Sequence, residues 1–158
     1  MSEAKHPALP SCAKGGKLSY AIFTLARAHR GFGAELLRDL ALHPGQELLL
    51  MQLLDRDGQT QSDLLDSVGL DHSTVSKSLA RMQNAGLLTR IADEDDKRLL
   101  RVRLTRKGRA MGPRIASMWT KLERVSVADL DAPTMEAFIN IAGTIQQSIV
   151  DRDRHEIG

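Results

Sequence analysis

Ser73, Thr74, Ser76, Lys77 and Arg81 crowd into one stretch, STVSKSLAR, that contains no acid. Hydroxyls can donate or accept hydrogen bonds, whereas the lysine and arginine heads only donate. Donors of this kind, presented together, suit base edges and phosphate oxygens. A second group follows at Arg90, Lys97, Arg98 and Arg101, interrupted by the acidic run Asp93–Asp96. From His72 to Arg109 there are ten Lys/Arg against four Asp/Glu, a local charge of +6, so the remainder carries −4 of the total +2. Positive potential concentrated in this way is what counterion-releasing phosphate contacts need.

These residues need elements to hold them, and the local signals supply those elements. Thr60 and Asp63 form a capping pair that starts one helix. Gly69 stops it, and Asp71 can cap the next. In that second helix Val75, Leu79 and Met82 recur at helical spacing and face inward, which turns Ser73, Thr74, Ser76, Lys77 and Arg81 outward. Gly86 closes it in the left-handed conformation. Leu100, Val102 and Leu104 then alternate with Arg101 and Arg103 as a half-buried strand, with Leu87, Leu88 and Ile91 as its partner and Asp93 to Lys97 as the turn. Two helices joined by a tight turn and followed by a charged hairpin make a winged helix, whose natural ligand is duplex DNA.

The segment DEDDKRLLRVRLTRKG resembles the wing of the MarR family of bacterial transcription regulators. Asp96-Lys97-Arg98 matches that family's Asp-x-Arg, and Leu104-Thr105-Arg106-Lys107-Gly108 matches its Leu-Thr-x-x-Gly. STVSKSLARMQNAGLL is similar to its recognition helix, and the likeness extends over roughly Leu18 to Val150. Many members place proline after the first wing aspartate, where this chain has Glu94. The resemblance implies a mainly α fold with a β-hairpin wing, dimerising through N- and C-terminal helices. It implies that Arg98 enters the minor groove with Asp96 fixing its guanidinium, while Arg90, Lys97 and Arg101 add backbone contacts. It also implies a repressor, released by a small aromatic or lipophilic effector. Neither Asn, Gln nor Arg stands in the first turns of the recognition helix, so specificity leans on the wing and on DNA shape.

The expected layout is an arm over 1–17, dimerisation helices over 18–42 and 106–150, and the DNA-binding lobe over 46–105. Lys5, Lys14 and Lys17 could touch phosphate from the arm. In the first helix Gly31 and Gly33 call for a tertiary reason such as dimer or ligand packing, since each costs about 1 kcal/mol relative to alanine. Gln46 to Leu54 is apolar almost all round and therefore buried. Thr105 caps a helix expected to run towards Val127, with Gly112-Pro113 kinking it midway. Arg106, Lys107 and Arg109 in its first turn oppose the helix dipole, an arrangement that a phosphate would reverse. Asp131 to Pro133 starts the last helix, with Met135, Phe138, Ile139, Ala142, Ile145 and Ile149 along one face, and the terminal DRDRHEIG frays. The first and last helices carry more apolar surface than a monomer needs, which suits an isologous contact between two copies.

Tyr20, Phe23, His29, Met51 and Trp119 are the candidate walls of an effector cleft. One branch of the family senses hydroperoxides through a cysteine near the start of the first helix, where this chain has Ser19. Cys12, with Lys14 as its nearest base, reads as an inert exposed thiol. The histidines and the cysteine are scattered without metal-ligand spacing, so neither metal nor cofactor is expected. Phosphate loops, nucleophile elbows and paired carboxylates are missing, which argues against an enzyme. One cysteine makes no internal disulfide and no run of 18 apolar residues occurs, consistent with a cytoplasmic protein. The competing reading is a constitutive or architectural DNA-binding protein without an effector.

Overall fold

The structure, a computed structural model, describes residues 8–155, with side chains through residue 152. Lys5 lies outside the described residues. Part of the expected arm is ordered as a 3-10 helix over Ser11–Gly16, in which Cys12 is exposed. The chain divides into two compact units, one ending at Leu122 and the other beginning at Glu123. The element order is α1 (Lys17–Asp39), α2 (Gln46–Asp55), β1 (Gln59–Thr60), α3 (Gln61–Val68), α4 (His72–Asn84), β2 (Leu88–Ala92), β3 (Leu100–Leu104), α5 (Arg106–Arg109), α6 (Gly112–Ser126) and α7 (Ala132–His155).

The core of the first unit forms where the sequence patterns converge. Leu49, Leu50 and Leu53 of α2, Leu64 of α3, and Val75, Leu79 and Met82 of α4 are all fully buried. Each contributes about 1.5–3 kcal/mol of hydrophobic stabilisation. The hairpin closes this core with Leu88, Val102 and Leu104, and α6 with Ile115, Met118 and Leu122. The apolar pattern does not extend to the wing's far end, because Ile91 and Leu100 are about half exposed.

Two residues that carried no strand signal complete the sheet. Gln59 and Thr60 pair antiparallel with Val102 and Arg101, so the strand order is β1-β3-β2. Gln59 is buried because its side chain finishes α2. Its Nε2 donates to the carbonyls of Gln52 and Arg56 at 2.8 and 2.7 Å. The Gln52 carbonyl also accepts the Arg56 N–H at 2.9 Å, so Gln59 adds a second donor there and closes the helix end at Arg56.

Helix ends explain the remaining departures from expectation. Helix α1 stops at Asp39 rather than Leu42, because Ala41 turns left-handed at φ 56°. The Ala41 and Leu42 N–H groups then donate to Arg38 and Leu37 carbonyls at 2.9 and 3.0 Å. This is a Schellman closure with alanine where glycine is the usual residue. A left-handed L-residue is strained by about 1–2 kcal/mol, while glycine adds about 0.5–1 kcal/mol of unfolded-state entropy to be lost. Ala41→Gly is therefore expected to stabilise by up to about 1 kcal/mol, raising Tm by about 2–4 °C in a thermal melt. A lower Tm would mean that this closure carries no strain.

Gly31 and Gly33 have no such constraint. An added Cβ meets nothing at Gly31 and makes an ordinary 3.9 Å contact with Leu122 at Gly33. The expected mid-helix kink is instead a break between α5 and α6. Pro113 sits in the first turn of α6, where its missing N–H removes no ladder bond. In the second unit, the Asp131 carboxylate caps α7 by accepting the Thr134 N–H at 2.9 Å. Helix α7 continues to His155, so most of the segment expected to fray is helical.

Candidate nucleic-acid interface

Helix α3 starts on a reciprocal cap: the Thr60 hydroxyl accepts the Asp63 N–H at 3.2 Å, and Asp63 accepts the Thr60 N–H at 2.9 Å. Gly69, at φ 62°, turns the chain into α4. The Asp71 carboxylate then accepts the Thr74 N–H at 2.9 Å, the Ser73 hydroxyl at 2.8 Å and the Thr74 hydroxyl at 2.5 Å. The Thr74 hydroxyl first, then its N–H and the Ser73 hydroxyl, hold the Asp71 carboxyl far below the usual carboxylate range. With Val75, Leu79 and Met82 buried, Ser73, Lys77 and Arg81 form an exposed stripe at i, i+4 and i+8. Thr74 and Ser76 are half-buried on its flanks.

The exit of α4 is joined to the end of the wing. Gly86, at φ 71°, allows Leu87 N–H to reach the Met82 carbonyl at 2.9 Å. Thr105 then donates its N–H to the Leu87 carbonyl at 3.1 Å and its hydroxyl to the Gly86 carbonyl at 2.7 Å. Its hydroxyl oxygen also accepts the Gly108 N–H at 3.0 Å, capping α5. The Leu-Thr-x-x-Gly segment is thus the joint between recognition helix and wing.

The wing contains the main corrections. Asp96 accepts the backbone N–H of Arg98 at 3.0 Å and does not grip its guanidinium. The aspartate that holds an arginine side chain is Asp93, which is buried and accepts the Arg101 Nε–H. Asp93 also accepts the N–H groups of Asp95 and Asp96 at 2.9 and 3.0 Å. The Asp96 N–H first, then the Arg101 guanidinium, lower the Asp93 carboxyl to about 2. Arg101 Nη1 further donates to the Gly58 carbonyl at 3.0 Å. Arg101, expected on DNA, is a strut that ties the wing to Gly58, just before β1. Lys97 and Arg98 remain exposed at the tip, and Arg90 is half-buried beside Val102 in register.

Two further cations expected near phosphate have partners within the chain. Lys107 donates to the Ala85 carbonyl at 2.7 Å, neutralising the C-terminal end of α4. Arg109 pairs with Asp57 at 2.7 Å, and Asp57 also accepts the Leu104 N–H at 2.9 Å. Burial pushes the Asp57 carboxyl up, but the Leu104 N–H, the Arg109 guanidinium and the Gly58 N–H together hold it low. Arg103 is not among the expected contacts, yet it is exposed, and its side chain makes no hydrogen bond among the described residues. Its alternation with Val102 and Leu104 is the signal that could have found it.

Only part of the expected effector wall assembles. Met51 and Trp119 meet, with the indole N–H 3.2 Å from the methionine sulfur. They line a cleft of about 400 Å³ together with Leu54, Asp55, Gly112, Ile115 and Ala116. Tyr20 and Phe23 stack on each other at 6.5 Å but do not line this cleft, and neither does His29, which is exposed. The 3.6-residue period that groups them on α1 says nothing about which neighbour they meet.

A helix-turn-helix joined in this way to an antiparallel wing defines a winged-helix DNA-binding protein. The sequence model of the MarR family matches residues 42–99. An uncharacterized HTH-type transcriptional regulator of Bacillus subtilis, YdgJ, is 30% identical over 104 residues, covering 64% of this chain and 62% of its own. The solved structure of Bordetella bronchiseptica BpsR, described as a mechanism for regulation of DNA binding by 6-hydroxynicotinic acid, is similar at TM-score 0.77 and 19% identity, over 84% and 95% of the two chains. A MarR-family regulator from Listeria monocytogenes, solved with 26mer DNA, is similar at TM-score 0.73 and 20% identity, over 84% and 88%. Over residues 42–99 the chain matches the MarR family of transcription regulators, and its fold is the winged-helix fold of that family's solved structures. The relatives and solved structures it resembles are transcription regulators. Among the described residues no helix is long and apolar enough to cross a membrane.

Proposed function

We propose that the protein is a repressor that binds a pseudo-palindromic operator as a dimer and is released by a small aromatic or lipophilic ligand. The observation that carries this reading is the exposed stripe of Ser73, Lys77 and Arg81 on a helix whose exit is bonded to the wing. Helix α4 enters the major groove, and Arg98 at the wing tip enters the adjacent minor groove. Lys97, Arg90 and Arg103 contact the backbone. Leu18, Phe23 and Leu25 of α1, and Phe138, Ile139 and Ile149 of α7, are each more than half exposed, apolar surface that a second copy would cover. Two-fold symmetry then sets the recognition helices about 34 Å apart.

The Met51–Trp119 cleft is the effector site in this reading. Its volume falls within the usual range for small-ligand pockets. The regulation of DNA binding in BpsR by 6-hydroxynicotinic acid, a small aromatic acid, supports the same class of ligand.

The test is a gel-shift titration against DNA upstream of the protein's own coding sequence, with excess competitor, at two salt concentrations and with or without salicylate. The expected result is tight, salt-dependent, sequence-specific binding that salicylate weakens. Specific binding that no aromatic acid alters would favour the constitutive regulator. Binding no tighter than to competitor would overturn the assignment of the operator to that region.

A further inference from the structure

An aspartate at the DNA-facing end of a recognition helix is electrostatically out of place, because phosphates repel it. Asp71 has nonetheless gathered three donors onto its two oxygens: the Thr74 N–H and the hydroxyls of Ser73 and Thr74. An ionised carboxylate can only accept, so both hydroxyl protons point back at Asp71. What remains on the outer side of each hydroxyl is lone pairs. The Lys77 ammonium, one turn further along the same stripe, can only donate.

We propose that Asp71 sets the hydrogen-bonding polarity of the base-reading edge. By taking the protons of Ser73 and Thr74 it turns both hydroxyls into acceptors, so this turn of α4 selects a base with a major-groove amino group, adenine or cytosine. Guanine and thymine present acceptors at the equivalent position and meet lone pairs instead. Turning a hydroxyl proton outward to satisfy them would break a charge-assisted bond, which is about twice as strong as a neutral one. Serine and threonine on a recognition helix are ordinarily permissive, able to donate or accept. Here the neighbouring carboxylate removes that choice. The inference rests on α4 being the element that reads bases.

Asp71→Asn reverses the polarity with little change in the cap. Asparagine is as good an N-cap as aspartate, and its carbonyl still accepts the Thr74 N–H. Its amide group, however, donates to a hydroxyl oxygen and frees that hydroxyl's proton to point outward. The experiment is selection from a pool of randomised duplexes, sequenced after binding, for the wild-type protein, Asp71→Asn and the double variant Ser73→Ala/Thr74→Ala.

The wild type should enrich adenine or cytosine at one position in each half-site. Asp71→Asn should move that position towards guanine or thymine, changing the base ratio about fivefold or more, within the range of single base contacts. The double variant should lose preference there. Because each ratio is read within one selected pool, a change in overall affinity does not affect it. If Asp71→Asn fails to fold, Asp71→Ser serves instead, since the two lone pairs of its one oxygen cannot take the Thr74 N–H and both hydroxyl protons, and the amino-base preference should fall.

Guanine or thymine at that position with the wild type would overturn the proposal. So would an Asp71→Asn motif identical to wild type while the double variant differs. A double variant that selects the wild-type motif at every position would overturn the base-reading role of this turn of α4 itself.

Discussion

Gly108→Ala is expected to lower stability by about 3 kcal/mol or more, the upper end of what overpacking does. A Cβ built there would lie 2.0 Å from the Leu87 carbonyl oxygen and 3.0 Å from Leu104 Cδ2. The first is backbone and has little room to move, because that carbonyl already accepts from both the N–H and the hydroxyl of Thr105 at 3.1 Å. Relieving the clash means parting α5 from the exit of α4, which also loosens the joint to the wing. Gly86→Ala is the matching control: its φ is 71° but nothing lies within 4 Å of an added Cβ. That variant should lose only the left-handed strain, about 1–2 kcal/mol. Urea unfolding of both would separate close contact from backbone torsion. A Gly108→Ala protein no less stable than Gly86→Ala would contradict the tight packing at this joint.

Arg98→Ala should weaken operator binding by about tenfold or more, the scale of one groove contact. Arg152→Ala removes the same charge from α7, where that side chain donates to the Ile149 carbonyl at 2.8 Å, and should change affinity by less than about twofold. Both variants lose one cation, so screening and net charge are matched. The distinction is geometric: Arg98 stands at the exposed wing tip, its backbone held by Asp96. Titration of a labelled operator at fixed salt reads the ratio directly. Equal losses would mean that charge alone governs binding, and Arg98 would have no groove contact.

Much of the lobe was legible because its signals are local. The Thr60–Asp63 cap, the Asp71 cap, the Val75–Leu79–Met82 stripe and the left-handed Gly86 each concern residues a turn or less apart. Features fixed by distant partners were not legible. Asp57 and Arg109 are 52 positions apart in sequence, and no spacing rule joins them. Gln59 gave no strand pattern because β1 is two residues long and exists only by pairing with β3. The wing shows the same limit in a subtler form. A motif placed Asp96 beside Arg98, whereas burial decides which carboxylate holds a guanidinium, and the buried one is Asp93. Arg101 is therefore tied to Asp93 and Gly58, while the side chain of the neighbouring Arg103 stands exposed.

The shortness of β1 has a mechanical consequence for the wing. It braces β3 only at Val102 and Arg101, beside the Arg101 strut to Gly58. Beyond that point Ala92 and Leu100 form a two-stranded ribbon with no third neighbour. Two-stranded ribbons are marginal by themselves, so stiffness falls abruptly on passing Arg101. The wing behaves as a cantilever clamped at its root and compliant at its end, with Arg98 riding on the compliant part. If Arg98 enters the minor groove as proposed, such a beam can adjust to grooves of differing width without disturbing α4, its bending taking up part of the energy of each contact.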